Sequence, residues 1–276
     1  MANVEEVKQL QHKAAELRST VFDMIYESRT GHTGSDLSCA DILTTLYFKV
    51  LNVDPKNPED PNRDRYVQSK GHAAEILWAV LAEKGFFEKE ELKTFSKFGS
   101  RLLGHPNNEV DGVEMNTGSL GHGLSVTTGM ALAAKLDQKD YKVYTLMGDG
   151  ELAEGSVWEA AMAAAHYKLN NLTAIIDNNG LQITGTNDEV MSTAPLNDKF
   201  TAFGWHVIEV DGNDIAALID AFESNANGDK PKMIIAHTIK GKGFSVAENK
   251  ANWHHKVPTD EEYAQAKAEF RVEMEA

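Results

Sequence analysis

The sequence predicts an α/β fold with a mostly parallel sheet covered by helices on both faces. Short apolar runs rich in strand-forming residues alternate with segments of helical periodicity, an order that is typical of parallel sheets. The chain has 276 residues, 42% of them apolar, which is enough for one large core. Because no linker rich in Pro, Gly or Ser interrupts it, we expect a single domain over residues 1–276.

The clearest unit of this kind lies between residues 143 and 180. Val143–Met147 is an apolar, strand-like run that ends at a Gly-Asp-Gly turn. Apolar residues recur at helical spacing from Ala153 to Leu169, and Leu172–Ile176 is a second strand-like run, which ends at Asp-Asn-Asn-Gly. This pattern predicts strand, crossover helix, strand.

Other segments add further elements to the same sheet. Strands are predicted over 203–210 and 232–239, with a helix from Ile215 to Ser224 between them. Upstream, Leu37–Val50 shows an apolar helical pattern. The charged residues 259–276 favour a helix, so we expect a C-terminal helical extension there.

Polar side chains follow the two strands of the first unit. Parallel strands joined by a right-handed crossover end at one edge of the sheet, so Asp149 should lie near Asn178 or Asn179. Carboxylate, amide and carbonyl oxygens suit Mg²⁺ or Ca²⁺, which phosphate oxygens commonly complete. This pairing predicts a metal site for a phosphorylated ligand, although each turn taken singly is equally well explained as a turn alone.

Three histidines flanked by glycine lie on separate loops, and two more occur near the end of the chain. They are His32, His72, His105 and the pair His254-His255. If the sheet gathers these loops, the imidazoles could bind phosphate and exchange hydroxyl protons near pH 7. Each one alone is equally explained as a solvated loop or helix-start residue. A zinc site is a weaker alternative, since no Cys ligands or His-x-x-x-His pair are suitably spaced.

Two glycine-containing segments could also contact a ligand. The loop Gly118–Gly123 would let the backbone approach a flat ring or a phosphate closely. The segment Lys240-Gly241-Lys242-Gly243 could supply positive charge to a phosphate, but for Lys242 a simple basic turn is the favoured interpretation.

Composition excludes several classes of protein. The net charge of −15 argues against nucleic acid and against an anionic membrane surface as partners. No signal peptide or run of about 18 apolar residues is present, so no membrane span is expected. The single Cys39 fits a reducing compartment, and we therefore expect a cytoplasmic protein.

The Gly-Asp-Gly turn and the Asn-Asn pair thirty residues later resemble the thiamine diphosphate motif, and GDGELAEGSVWEAA is similar to the transketolases. Further similar segments follow in the family's order: SRTGHTGSDLSCADILTTLYF, QSKGHAAEILWA, LLGHP, NTGSLGHGLSV and HTIKGKGFSVAENKANWHHKVP. The resemblance therefore covers nearly the whole chain and implies the diphosphate-binding domain of the thiamine diphosphate-binding fold.

The resemblance also assigns roles to residues around the cofactor. It implies that Asp149, Asn179 and the main-chain oxygen of Leu181 bind the metal. It places Gly150 and His72 at the diphosphate. It places Gly118 and Leu120 against the aminopyrimidine, and Glu154 at the interface between cofactor-binding domains.

The histidines acquire roles in the same way. His32, His105 and His254 are implied to contact substrate hydroxyls and transfer protons, with His254 also beside the cofactor. His254 is preferred to His255 because relatives have one histidine in a Trp-His-Gly-Lys segment. His122 stands where relatives commonly have Gln, so both His122 and His255 depart from the family pattern.

A full transketolase continues into a pyrimidine-binding domain that carries an activating Glu, for which this sequence has no counterpart. We therefore expect the N-terminal subunit of a split transketolase, inactive without a separately encoded pyrimidine-domain subunit, in an α2β2 heterotetramer. The implied reaction moves a two-carbon ketol unit from a ketose phosphate to an aldose phosphate. The alternatives are a related transferase for an unusual or sulfonated sugar, and a non-catalytic thiamine diphosphate-binding regulator.

Overall fold

In the computed structural model, which describes residues 3–275, five parallel strands form one sheet in the order β1-β2-β3-β5-β4. Every neighbouring pair of strands is parallel, as predicted. Gly148 at the end of β2 pairs with Asp177 of β3, so the carboxyl ends of these strands meet at one edge. The strands are β1 (Arg65–Gln68), β2 (Val143–Gly148), β3 (Leu172–Asn178), β4 (His206–Asp211) and β5 (Lys232–His237).

The helices cover both faces of the sheet. Along the described part of the chain none of them is long and apolar enough to cross a membrane. They are α1 (Val4–Ser28), α2 (Thr33–Ser38), α3 (Ala40–Thr45), α4 (Ala74–Lys84), α5 (Gly123–Leu136), α6 (Gly155–His166), α7 (Asn187–Val190), α8 (Leu196–Ala202), α9 (Ile215–Glu223) and α10 (Asp260–Glu275).

Side-chain alternation along the strands divides the core between the two faces. Tyr144 and Leu146 of β2 pack into a core with α1, α3, α4 and α9, whereas Val143 and Met147 pack with α5, α6 and α8. All six residues of β2 are buried. A strand buried on both faces needs an almost continuous apolar sequence, which explains the runs seen in the chain.

Some boundaries differ from those predicted. The helical pattern over Leu37–Val50 is divided among α2, α3 and a π-helical turn at Leu46–Val50, with the fully buried Cys39 at the break. The strand predicted from residue 203 begins at His206, because the preceding residues close α8 and turn at Gly204. Apolar periodicity could not locate the break at Cys39, since the residues of α2 and α3 on both sides of it are buried.

The C-terminal helix α10 packs on α1. Phe270 is fully buried and meets Phe22 edge to face, with ring centroids 5.5 Å apart, and Phe22 contacts Phe244 in the same way. The buried Arg18 of α1 forms ion pairs with Asp41 and Glu273. The predicted helical extension is therefore part of the packed fold up to Glu275, and Ala276 lies outside the described residues.

Candidate active site

A cavity of about 280 Å³ opens at the carboxyl edge of the sheet. The loops that follow β1, β2, β3 and β5 each contribute to its wall. Its lining residues are His32, Ser35, Lys70, His72, Gly118, Leu120, Gly148, Asp149, Gly150, Glu151, Asn179, Leu181, Gln182, Ile183, Lys240 and His254. Nine of the eleven predicted site residues are therefore in one cavity, and only His105 and Glu154 lie outside its lining.

The Asp149 carboxylate is held against the turn after β3. It is 3% exposed, and its Oδ2 accepts hydrogen bonds from the Gly180 amide at 2.6 Å and from Asn187 Nδ2 at 2.9 Å. Its Oδ1 accepts the Gly150 amide at 2.9 Å. Gly180 has a φ of 76°, which a glycine adopts without strain. The turn geometry thus brings together the two polar segments that the sequence separates by thirty residues.

Asn179 and Leu181 complete a set of oxygen donors beside Asp149. Asn179 Oδ1 accepts the Leu181 amide at 3.1 Å, and the Leu181 carbonyl accepts Lys240 Nζ at 3.1 Å. Among residues 3–275, no group of three or more His, Cys, Asp and Glu side chains is arranged to hold a metal. A cation at this edge would therefore be held by carboxylate, amide and carbonyl oxygens, which are ligands suited to Mg²⁺.

Lys240 lines the cavity as a buried cation that is only 2% exposed. Its Nζ lies 3.0 Å from His254 Nδ1. Burial and the nearby Lys70 lower the pKa of Lys240 to about 8, so the ammonium form still predominates at pH 7. Lys242, two residues later, lines a separate crevice with Lys8 and His12, which agrees with the simple interpretation of that residue.

A buried ion pair lies beneath the cavity. Lys70 and Asp177 are 1% and 0% exposed and are joined through Lys70 Nζ, while Ser38 and Thr238 donate hydrogen bonds to the same carboxylate. Burial disfavours both charges, but the mutual attraction outweighs it and lowers the pKa of Asp177 while raising that of Lys70. This pair fixes the loop after β1 against the end of β3.

The predicted histidines converge. The ring centroid of His32 lies 5.5 Å from that of His72, 5.9 Å from that of His105 and 5.8 Å from that of His254. His72 and His254 are 5.1 Å apart. His255 is exposed and its ring centroid is 4.7 Å from that of His32. His122 is exposed and does not line the cavity.

The cavity histidines His32, His72 and His254, and His105 at the rim, are neutral at physiological pH. Burial, followed by nearby imidazoles and cations, lowers the pKa of His32 to about 4, and burial with Lys240 lowers that of His254 to about 3. Burial also lowers the pKa of His72 and His105. The sequence suggested groups that titrate near pH 7; the structure instead gives neutral rings that accept and donate hydrogen bonds. His32 Nδ1 is buried with no partner among the described residues.

The glycine-rich loop is tied to the Gly-Asp-Gly turn by Glu151. This buried carboxylate accepts the amides of Gly121 at 2.8 Å and Gly148 at 3.1 Å and a hydrogen bond from Ser69. At Gly118, whose φ is 130°, a Cβ atom would lie 2.6 Å from the ring of His105. His105 therefore rests against bare backbone at the rim, outside the lining.

Glu154 lies on the surface at the start of α6 and packs against Gly121, where a Cβ atom would approach it to 2.5 Å. This exposed position is compatible with the interface role that the resemblance implies.

Sequence reasoning does not single out several residues of this site. They are Lys70, Glu151, Asp177 and Ser35, whose hydroxyl lies 3.1 Å from His72 Nε2. A signal is present for Asp177, because it is a carboxylate inside an otherwise apolar strand. Glu151 and Ser35 give no comparable signal, since their roles depend on which loops the fold brings together.

Comparison with known proteins agrees with this geometry. The family described as "Transketolase, thiamine diphosphate binding domain" matches residues 10–276. The chain is 50% identical over 271 residues to an apulose-4-phosphate transketolase subunit of Phocaeicola vulgatus, covering 98% of this chain and 96% of that protein. It is 43% identical to the 6-deoxy-6-sulfo-D-fructose transketolase subunit SqwG of a Clostridium species, covering 96% and 97%.

Longer transketolases also match, but the chain spans only part of them. It is 42% identical to human transketolase over 260 residues, which cover 91% of this chain and 40% of that protein. The crystal structure of transketolase from Campylobacter jejuni superposes with a TM-score of 0.90 and 34% identity over 98% of this chain and 43% of that one. The chain therefore belongs to the transketolase family, and its residues 10–276 match that family's thiamine diphosphate binding domain.

Proposed function

We propose that this chain is the N-terminal subunit of a split transketolase that moves a two-carbon ketol unit from a ketose phosphate to an aldose phosphate. The observation that carries the proposal is that one cavity joins the oxygen donors around Asp149 to the imidazole cluster around His32. Oxygen donors suit a metal-bound diphosphate, and neutral imidazoles suit sugar hydroxyls.

The residues present fit thiamine diphosphate with Mg²⁺. His32 Nδ1 is a buried polar atom without a partner among the described residues, as is Thr117 Oγ1 beside the glycine-rich loop. Such atoms are costly unless a ligand completes them. Lys240 places a cation at the cavity in a chain whose net charge is −15, and so it offers a local site for an anion.

Each part of the cofactor has candidate partners. Asp149, Asn179 and the Leu181 carbonyl would hold Mg²⁺, or Ca²⁺ in its place. Lys240 would meet the diphosphate together with Gly150 and His72, and the aminopyrimidine would lie against Gly118 and Leu120. When bound, the cofactor supplies the acidic carbon and the electron sink that ketol transfer requires.

The imidazoles would act on the sugar. His32 and His254 face the cavity, and His105 lies at its rim against Gly118. Because they are neutral, these rings can accept a proton from one hydroxyl or donate a hydrogen bond to another without first losing a charge.

We propose that a second chain completes the site. Relatives of almost the same length are themselves named as transketolase subunits, which supports a partner chain. The partner would carry the pyrimidine-binding domain and the activating Glu, and Glu154, exposed at the start of α6, would lie at the interface. In this proposal residues 1–276 form one diphosphate-binding domain of a cytoplasmic α2β2 assembly.

A second candidate differs in the sugar. The two relatives described above are named for apulose 4-phosphate and for 6-deoxy-6-sulfofructose, which favours an unusual donor for this chain as well. The complex reconstituted with the pyrimidine-domain subunit should be assayed with unbranched pentose phosphates, a branched ketose phosphate and a sulfonated ketose, with the new ketose formed on the acceptor aldose as the readout. Preference for a pentose phosphate supports the first candidate, preference for another donor supports the second, and inactivity on all of them contradicts both and favours a regulatory binder.

A further inference from the structure

Two buried carboxyl groups lie behind His32, outside the lining of the cavity. Asp36 belongs to α2 and Glu75 is the second residue of α4, and both are 0% exposed. Asp36 Oδ1 accepts the amide of Ile76 at 3.0 Å, and Glu75 Oε1 accepts the amide of His32 at 3.1 Å. Each carboxyl therefore satisfies an N–H at the start of the other's helix, where partners within a helix are lacking.

The second oxygen of each carboxyl group has no hydrogen-bond donor among the described residues. Asp36 Oδ2 and Glu75 Oε2 are buried without a donor among the described residues, and the two side chains are within hydrogen-bonding reach of each other. Two carboxylates cannot hydrogen-bond to each other, and two adjacent buried negative charges are strongly unfavourable. One proton placed between them satisfies both oxygens and removes one charge.

We propose that Asp36 and Glu75 share one proton and that this acid pair positions the His32 loop at the cavity. The pairing rests on the chain's own geometry; only its importance for catalysis rests on the proposed function. Glu75 is therefore a positioning residue, since it acts through the amide of His32. The fit is close, because a Cβ atom at Gly31 would lie 2.7 Å from Glu75 Oε1.

The surroundings favour a protonated pair. Lys70 from the loop before α4, His32 ahead of α2 and Cys39 just after α2 are the titratable neighbours, and α1 contributes the apolar Ile25 beside Gly31. Burial raises the pKa of Glu75 to about 7, and burial followed by the charge of Glu75 raises that of Asp36. Lys70 opposes this effect at Asp36 but is already paired with Asp177.

The sign of the pH dependence follows directly. Groups with raised pKa values stabilise the fold while they are protonated, so the contribution of Glu75 is complete below its ordinary pKa of 4.5, is lost progressively as the pH rises to about 7, and does not change further above that pH. Replacing either carboxyl with its amide keeps a donor between the two side chains and removes the need for a shared proton. In Glu75→Gln the side-chain oxygen can also still accept a hydrogen bond from the main-chain N–H of His32.

The test uses the full chain without cofactor. Thermal unfolding is followed from pH 4.5 to 9 for the parent, Glu75→Gln and Asp36→Asn, with Asp64→Asn as the control. Asp64 is a buried carboxylate that accepts the amides of Asn52 and Lys142. Between about pH 4.5 and 7 we expect the midpoints of the parent and the control to fall relative to those of both amide variants, and above pH 7 the differences should stay constant. A pH dependence in Glu75→Gln and Asp36→Asn that matches that of the parent between pH 4.5 and 7 would overturn the shared proton.

Imidazole resonances test the positioning role. Glu75→Gln should leave the signals of His32 near their parent positions, whereas Glu75→Leu, which leaves the His32 amide without an acceptor, should shift them. Equal spectra for the two variants would contradict the positioning role even where the pH slope behaves as expected. An inactive reconstituted complex with the expected slopes and spectra would instead count against the proposed function and leave the acid pair standing.

Discussion

Lys240 Nζ lies 3.1 Å from the main-chain oxygen of Leu181, the oxygen that we assign to the metal. The same ammonium is 3.0 Å from His254 Nδ1. One buried cation therefore connects the proposed metal site to the imidazole cluster. When Mg²⁺ and a diphosphate are bound, we expect Lys240 to exchange the Leu181 carbonyl for a phosphate oxygen, because an ammonium and a divalent cation would compete for one carbonyl.

The first prediction compares the two lysines of one turn. Lys240→Met should weaken thiamine diphosphate binding by about 10- to 100-fold, since a hydrogen bond to a charged group contributes about 1.5–3 kcal/mol. Lys242→Met removes the same charge from a residue that lines a different crevice and should leave the affinity unchanged. Calorimetric titration with Mg²⁺ present measures both, and equal losses in the two variants would indicate a diffuse electrostatic effect.

A second prediction concerns the metal. Asp149→Ala should lower Mg²⁺-dependent affinity for thiamine diphosphate by at least about 100-fold, because even residues that only orient metal ligands contribute 10- to 100-fold. Asp188→Ala is the control, since that exposed carboxylate on α7 bonds only Ser192 among the described residues. Unchanged cofactor affinity in Asp149→Ala would contradict the assignment of Asp149 as a metal ligand.

The third prediction addresses the ion pair beneath the cavity. Lys70→Met should lower the free energy of unfolding by about 3–5 kcal/mol, since it leaves the Asp177 carboxylate buried and unpaired. Adding Asp177→Asn should recover part of this loss, because the amide carries no charge. Urea unfolding of the parent, both single variants and the double variant provides the cycle, and strictly additive losses would show that the two charges are not coupled.

The neutral imidazoles lead to a fourth prediction, on acid stability. The pKa of His32 falls from 6.5 to about 4 in the folded chain, so unfolding below pH 6.5 takes up a proton and stability decreases as the pH falls. Each such histidine contributes up to about 1.4 kcal/mol per pH unit over that range. His32→Gln removes this contribution, so between pH 6.5 and 5 its free energy of unfolding should fall less steeply than that of the parent, by up to about 1.4 kcal/mol per pH unit. An identical slope in the variant would show that His32 is already charged in the fold.

Much of the fold and part of the site could be predicted from the sequence. The runs at β2 and β3 and the turns that follow them are sufficient to place Asp149 beside Asn179, because parallel strands share an edge. The convergence of the histidine loops could be expected only from the family resemblance. The Asp36 and Glu75 pair could not be predicted, since it depends on how α2 and α4 are oriented and no sequence spacing links the two residues.

The protonation states of the histidines could not be predicted from the sequence either. Titration of the histidines near pH 7 is the expectation for solvated rings, but their pKa values depend on burial and on the nearby Lys70 and Lys240, which only the folded chain reveals. Lys240 could be recognised as a candidate phosphate partner and Lys242 as a residue of a simple basic turn, and the path of the turn after β5 places the two at different cavities.

The most direct test of the divided site is the transfer of a ketol unit by this chain alone and by this chain mixed with the pyrimidine-domain subunit, each with Mg²⁺, thiamine diphosphate, a ketose phosphate and an aldose phosphate. We expect product from the mixture only, with activity lost again when Asp149→Ala replaces the parent chain. Turnover by this chain alone would contradict the divided site, because the activating carboxylate would then have to lie within these residues.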